Sequence, residues 1–204
     1  MGAKIDVEAV ASLKENLKQS CIKEPLFMML CPNAEKREAF MEKYFNYYLE
    51  RWAKNGDLLY SASHKTAVTL IDPADFKYGF SGPHSYSLKL SSCSGNVLVH
   101  QEEVERITDV IIPSSMPRKV LTIYGDPKAN LNEIIALVEK CREKAVEEEF
   151  VLVYETLSKK LIPLFEQKEF ETAYSKLFLD SQFWQTIMIY NILSKNQEKA
   201  QLQL

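Results

Sequence analysis

Glycine is scarce in this chain of 204 residues: there are six, and none follows Gly125. A backbone turn that wraps a phosphate favours glycine, which admits positive φ and leaves room for close approach. A glycine-built phosphate loop is therefore excluded from everything beyond Gly125. Cysteine is equally uninformative as a framework. Cys21, Cys31, Cys93 and Cys141 are far apart and include no C-x-x-C pair, a pattern that fits reduced thiols better than disulfides or zinc. The three histidines, His64, His84 and His100, have neither H-x-x-x-H nor H-E-x-x-H spacing, so no metal site is expected. No run approaches the roughly 18 to 20 apolar residues that span a membrane, and the N-terminus lacks the apolar core of a signal peptide. The net charge of −3 offers no basic excess for nucleic acid. These absences point to a soluble, cytoplasmic protein with neither nucleic acid nor membrane as a partner.

What is present is a chain that is 46% hydrophobic, enough for a substantial core. A single domain over residues 1–193 is expected, with a polar tail over 194–204. Helices fill residues 1–56. Val7, Val10, Leu13, Leu17 and Cys21 share one helical face, and Asn33 can cap a helix that ends near Gly56. Phe40, Tyr44, Tyr47, Tyr48 and Trp52 form an aromatic stripe on that helix. The stripe packs on a sheet, or part of it walls a substrate pocket. "DLLYSAS" and "TAVTLID" then read as a hairpin turned at His64-Lys65. Residues 73 to about 98 read as a long loop with a helical turn or two, and a loop of that length is more often functional or mobile than idle. "VLVHQEEVERITDVI" then reads as another helix.

From Arg118 the order is strand, helix, strand, short helix, strand, strand. Right-handed crossovers and a closing antiparallel pair imply an α/β architecture with a mixed sheet flanked by helices. "FVLVYET" is near-continuously apolar, as in a strand buried on both faces. At the junction "GDPKANLNE", Asn130 and Glu133 have the spacing of a capping box, which needs no ligand.

This order of elements resembles the GNAT acyltransferase superfamily over about residues 7 to 192. The opening helices and "AVTLIDP" look like those of a bacterial branch. "VLTIYGDPKANLNEIIALVEK" sits where the family has its glycine-rich junction, and "LVYETLSKKLIPLFEQKEFET" aligns through Glu155, Thr156, Glu166 and Phe170. The resemblance implies an N-acyltransferase that moves an acetyl group from acetyl-CoA to a small amine. It also places cofactor contacts at Ile123, Tyr124, Gly125, Lys128, Asn130 and Ser158.

The family's functional residues are only partly kept. Leu131, Glu133 and Ile135 stand where the family has glycines, and Phe165 stands where it has a proton-donating tyrosine. Tyr174, Tyr154 and Tyr124 are candidates to replace that acid, and His84 is a candidate base for the amine. Two functional classes remain open: an acyl-CoA-dependent N-acyltransferase with an atypical cofactor loop, whose partners are a small-molecule amine or a CoA-type ligand, or a non-catalytic GNAT-like ligand-binding or interaction module that has lost conventional acetyl-CoA binding.

Overall fold

The computed structural model describes residues 7–55, 57–73, 94–178 and 182–192. Three helices come first: α1 (Val7–Cys21), α2 (Pro25–Leu30) and α3 (Ala34–Asn55). Pro25 opens α2, where its missing N–H costs nothing. The Asn33 side chain caps α3 as expected, with Oδ1 accepting from the N–H groups of Glu35 and Lys36 at 3.0 and 3.3 Å. Lys18 of α1 forms ion pairs with Glu15 and with Glu42 of α3.

A hairpin follows, of β1 (Leu58–Tyr60) and β2 (Ala67–Ile71), registered Leu58↔Thr69. Its turn is longer than His64-Lys65, and His64 takes a positive φ of 55° within it. The next helix, α4 (Ser94–Ile111), starts within the segment read as loop, so residues 94–98 are helical. Residues 74–93, with His84, lie outside the described residues, as do Gly56 and the tail 194–204. The remaining order is β3 (Arg118–Tyr124), α5 (Leu131–Glu147), β4 (Val151–Thr156), α6 (Ile162–Glu166), β5 (Glu171–Leu177) and β6 (Trp184–Tyr190). Pro163 falls in the first turn of α6, where proline is tolerated.

The sheet order is β1-β2-β3-β4-β6-β5. The β3–β4 pair is parallel and the others are antiparallel. The last strand thus inserts beside β4 and pushes β5 to the edge, where its side chains are mostly exposed.

Strand alternation sorts side chains onto two faces. Val68, Leu70, Leu121, Leu152, Tyr154 and Met188 meet α5 and α6 in one core. On the other face, Ala67, Ile71 and Tyr124 meet α1–α3, and Val120, Val153 and Ile187 meet α4. The buried face of α5 is Ile134, Leu137, Val138, Cys141 and Ala145, whereas Leu131 is exposed.

Two thiols, Cys21 and Cys141, are free and buried. Cys31 is disulfide-bonded, which overturns the expectation of four reduced thiols. No helix among the described residues is long and apolar enough to cross a membrane.

Candidate active site

β3 and β4 pair only from Arg118↔Val151 to Leu121↔Tyr154, although β3 runs on to Tyr124 and β4 to Thr156. Beyond that point the parallel strands part and leave facing backbone edges unpaired. Two cavities of about 50 Å³ each open into the wedge. The inner one is walled by Tyr44, Tyr48 and Trp52 of α3, by His100 and Gln101 of α4, and by Tyr124. The outer one lies under the α1–α2 turn, against Cys21, Glu24, Ile123, Gly125 and Ser158. Leu26, Thr122 and Glu155 line both. The two cavities are thus the ends of one fissure through the sheet.

Glu155 stands at its waist. Alternation along β4 puts Tyr154 on the α5 face and Glu155 on the α4 face, where His100 waits. His100 Nε2 lies 2.8 and 2.9 Å from the two Glu155 oxygens, and Gln185 Nε2 of β6 donates to Oε1 at 3.0 Å. Burial alone would raise the Glu155 carboxyl. Charge and hydrogen bonding from His100, with the Gln185 bond, outweigh it and hold the group below the usual carboxylate range. An ionised carboxylate only accepts, so His100 carries its proton on Nε2, and in the neutral ring Nδ1 keeps the lone pair.

The expected site residues divide. Ile123, Gly125 and Ser158 line the outer cavity. Tyr124 lines the inner one, its hydroxyl 3.3 Å from that of Tyr44, and burial pushes both hydroxyls up. Lys128 and Asn130 line a polar groove beside the outer mouth, with Lys23, Lys65, Glu24 and Asp126. Tyr174 lines neither cavity: it packs against the α4 core from the edge strand, with Lys176 Nζ 5.9 Å from its ring centroid. Tyr154 is among the residues lining the outer cavity, and its ring packs in the opposite core, stacked on Phe165 with centroids 3.7 Å apart.

The junction is built differently from a capping box. Asn130 (φ −132°, ψ 30°) caps nothing with its side chain; its Nδ2 donates to the Asp126 carbonyl at 3.3 Å. Glu133 instead accepts from Ser63 Oγ at 2.9 Å and Thr66 Oγ1 at 3.0 Å, tying α5 to the hairpin. Four N–H groups of the turn are engaged by the protein itself. Gly125 donates to Cys21 Sγ at 3.1 Å, Lys128 to Asp126 Oδ1 at 2.9 Å, and Ala129 and Asn130 to the Asp126 carbonyl at 3.2 and 3.1 Å. Glu24 adds a second acid: burial, then the nearby Asp126, lift its carboxyl to about 7. Gly125 is irreplaceable in the turn, because at its φ of 125° an added Cβ would meet Lys65 O and Thr66 Cγ2 at 2.8 Å.

His100 entered the sequence reading only as a possible metal ligand, and Glu155 only as a matched motif position. Separated by 55 positions, the pair leaves no local signal.

No protein-family model matches the chain, and no curated protein matches it. Solved structures do. An apo serine-to-alanine mutant of agmatine N-acetyltransferase superposes with a TM-score of 0.64 at 15% identity, over 94% of this chain and 99% of that one. A Drosophila melanogaster polyamine N-acetyltransferase that forms N-acetylagmatine gives 0.62 at 15% identity, over 94% and 99%. The C-terminal condensation domain of Ebony, in complex with β-alanyl-dopamine, gives 0.53 at 14%, over 94% and 98%. With the six-stranded mixed sheet and its parted parallel pair, these likenesses establish that the chain has the GNAT acyltransferase fold.

Proposed function

We propose that the protein is an N-acyltransferase that uses an acyl-CoA thioester to acylate a small amine. The observation that carries this reading is the fissure, with a buried Glu155–His100 pair at the point where its two cavities meet. The superposed structures named for amine N-acetyltransferases support it as likenesses of fold.

A bound thioester would supply an activated acyl carbon and a thiol leaving group. Its arm fits the outer cavity, where the unpaired edges of β3 and β4 offer backbone donors and acceptors along Ile123 and Thr156. Its diphosphate fits less well. The junction is a degenerate form of the glycine loop, its turn N–H groups already bonded and two carboxylates beside it. Lys23, Lys65 and Lys128 supply the nearby positive charge.

The chain's own residues divide the remaining work. Glu155 fixes the tautomer and orientation of His100, whose Nδ1 takes the proton that the amine loses, as in base–orienter pairs generally. Burial of the pair keeps water from competing.

Thiol release from acetyl-CoA across an amine panel tests the reading. Glu155→Gln should reduce turnover by at least about 100-fold while the protein still melts cooperatively. Wild-type turnover in that variant would remove the pair from the chemistry.

The occupied turn favours a second reading, a non-catalytic module that no longer binds CoA. It predicts no thermal shift at 1 mM CoA, whereas a site with a Kd near 10 μM should stabilise by roughly 2.7 kcal/mol.

A further inference from the structure

The inner cavity holds a cation and a buried acceptor that the transfer chemistry leaves unused. Arg51 of α3 lines it, half-buried, and no carboxylate among the described residues pairs with its guanidinium. Asp57, the cavity's other acidic residue, has a partner of its own. Burial pushes the Tyr48 hydroxyl up, and the Arg51 charge is near enough to oppose it. That same hydroxyl accepts from Gln101 Nε2 at 3.1 Å, which leaves Gln101 Oε1 buried without a partner. Such an orphan is unfavourable until a donor reaches it. An unmatched cation and an unmatched acceptor therefore stand around one hydroxyl. The stacked rings of Tyr48 and Trp52, with centroids 4.9 Å apart, form the wall behind them.

We propose that the acceptor is an amino carboxylate, with its amine donating to Gln101 Oε1 beside the Glu155–His100 pair and its carboxylate held by Arg51. The inference rests on the acyl-transfer reading for its chemistry, though not for binding. A guanidinium is suited to this role because its planar fork matches a carboxylate bidentately. A simple alkylamine would leave the Arg51 charge unmatched. A diamine would bring a second positive charge toward it, which is repulsive in a partly desolvated cavity.

Pairs of compounds that differ by one carboxylate test the proposal on the full chain: phenylalanine with phenethylamine, lysine with cadaverine, β-alanine with ethylamine. Binding is read by calorimetry and transfer by thiol release from acetyl-CoA. In at least one pair the acid should bind at least tenfold more tightly than its amine. Arg51→Gln should lower that acid-over-amine ratio ten- to a hundredfold, the worth of a charge-assisted hydrogen bond. Arg51→Lys, which keeps the charge but loses the fork, should lower it less and reads the effect if the glutamine variant does not fold. The proposal is overturned if the amines bind as well as the acids in every pair, or if both substitutions leave the ratio unmoved. Acids that bind without being acylated would sustain the amino-carboxylate binding site and sink the transfer reading, and with it the acid's role as acceptor. Transfer to amines with no preference for the acids would do the reverse, and neither binding nor transfer would sink both.

Discussion

The two ends of the fissure are built on different principles. The inner end depends on side chains brought together from four elements: Tyr48 of α3, His100 of α4, Glu155 of β4 and Gln185 of β6. The outer end depends on backbone: the parting of β3 from β4 and the turn at Gly125. Backbone geometry there survives a large change of residues, because the wedge needs only two parallel strands that stop pairing. The turn beyond it does not survive in the same sense. Its shape is held by Cys21, which accepts from the Gly125 N–H, and by Asp126, which accepts from the Lys128 N–H.

The largest expected effect bears on the outer end. Gly125→Ala should destabilise the protein by about 3 kcal/mol, since positive-φ strain adds to contact with backbone; chemical denaturation reads it. An unchanged midpoint would mean that the turn can move away from the hairpin.

Next comes Glu24. A carboxyl raised to about 7 in the folded state loses its proton near its ordinary value once unfolded. Between those values the unfolded chain binds fewer protons than the folded one, so stability falls as pH rises from about 5 to 8. After allowance for partial solvent exposure, the fall should be about 1–2 kcal/mol. Glu24→Gln should flatten it, and an unaltered pH–stability profile in that variant would clear Glu24 of the effect.

A third measurement contrasts the ends directly. If the diphosphate contributes little, acetyl-pantetheine should support transfer within about tenfold of acetyl-CoA, a difference of about 1.4 kcal/mol. A thousandfold preference for acetyl-CoA would show a working diphosphate site.

The smallest effect is expected at Glu133. Removing its bonds to Ser63 and Thr66 with Glu133→Ala should cost about 1 kcal/mol, seen as a modest drop in Tm, and should not tighten CoA binding. Tighter binding would place the carboxylate against the phosphates after all.

The strands and helices from β3 onward were legible because their signals are local: alternation, an apolar run, a proline in a first turn. The Asn33 cap was legible for the same reason. The Asn130–Glu133 cap was misread because Asp126, four residues earlier, captures the turn first and leaves Asn130 outside the backbone region in which a side chain reaches the second and third helical N–H groups. Ser94 and Gly95 read as loop, although helix α4 begins there. Of the candidate site, the β3 and β4 backbone could be placed from pattern, whereas the His100–Glu155 contact could not. It depends on which face of β4 meets α4, and no local window contains both.

The placement of β6 carries a further consequence for how the protein comes into being. This strand is synthesised after every other described strand, yet it lies inside the sheet and supplies Gln185 to the carboxylate at the waist. Until it docks, β4 has an open edge, β5 has no partner, and Glu155 lacks one of its two supports. The sheet is therefore unfinished until the residues through Tyr190 have been made, and the Glu155–His100 pair has its full set of hydrogen bonds only once β6 is in place.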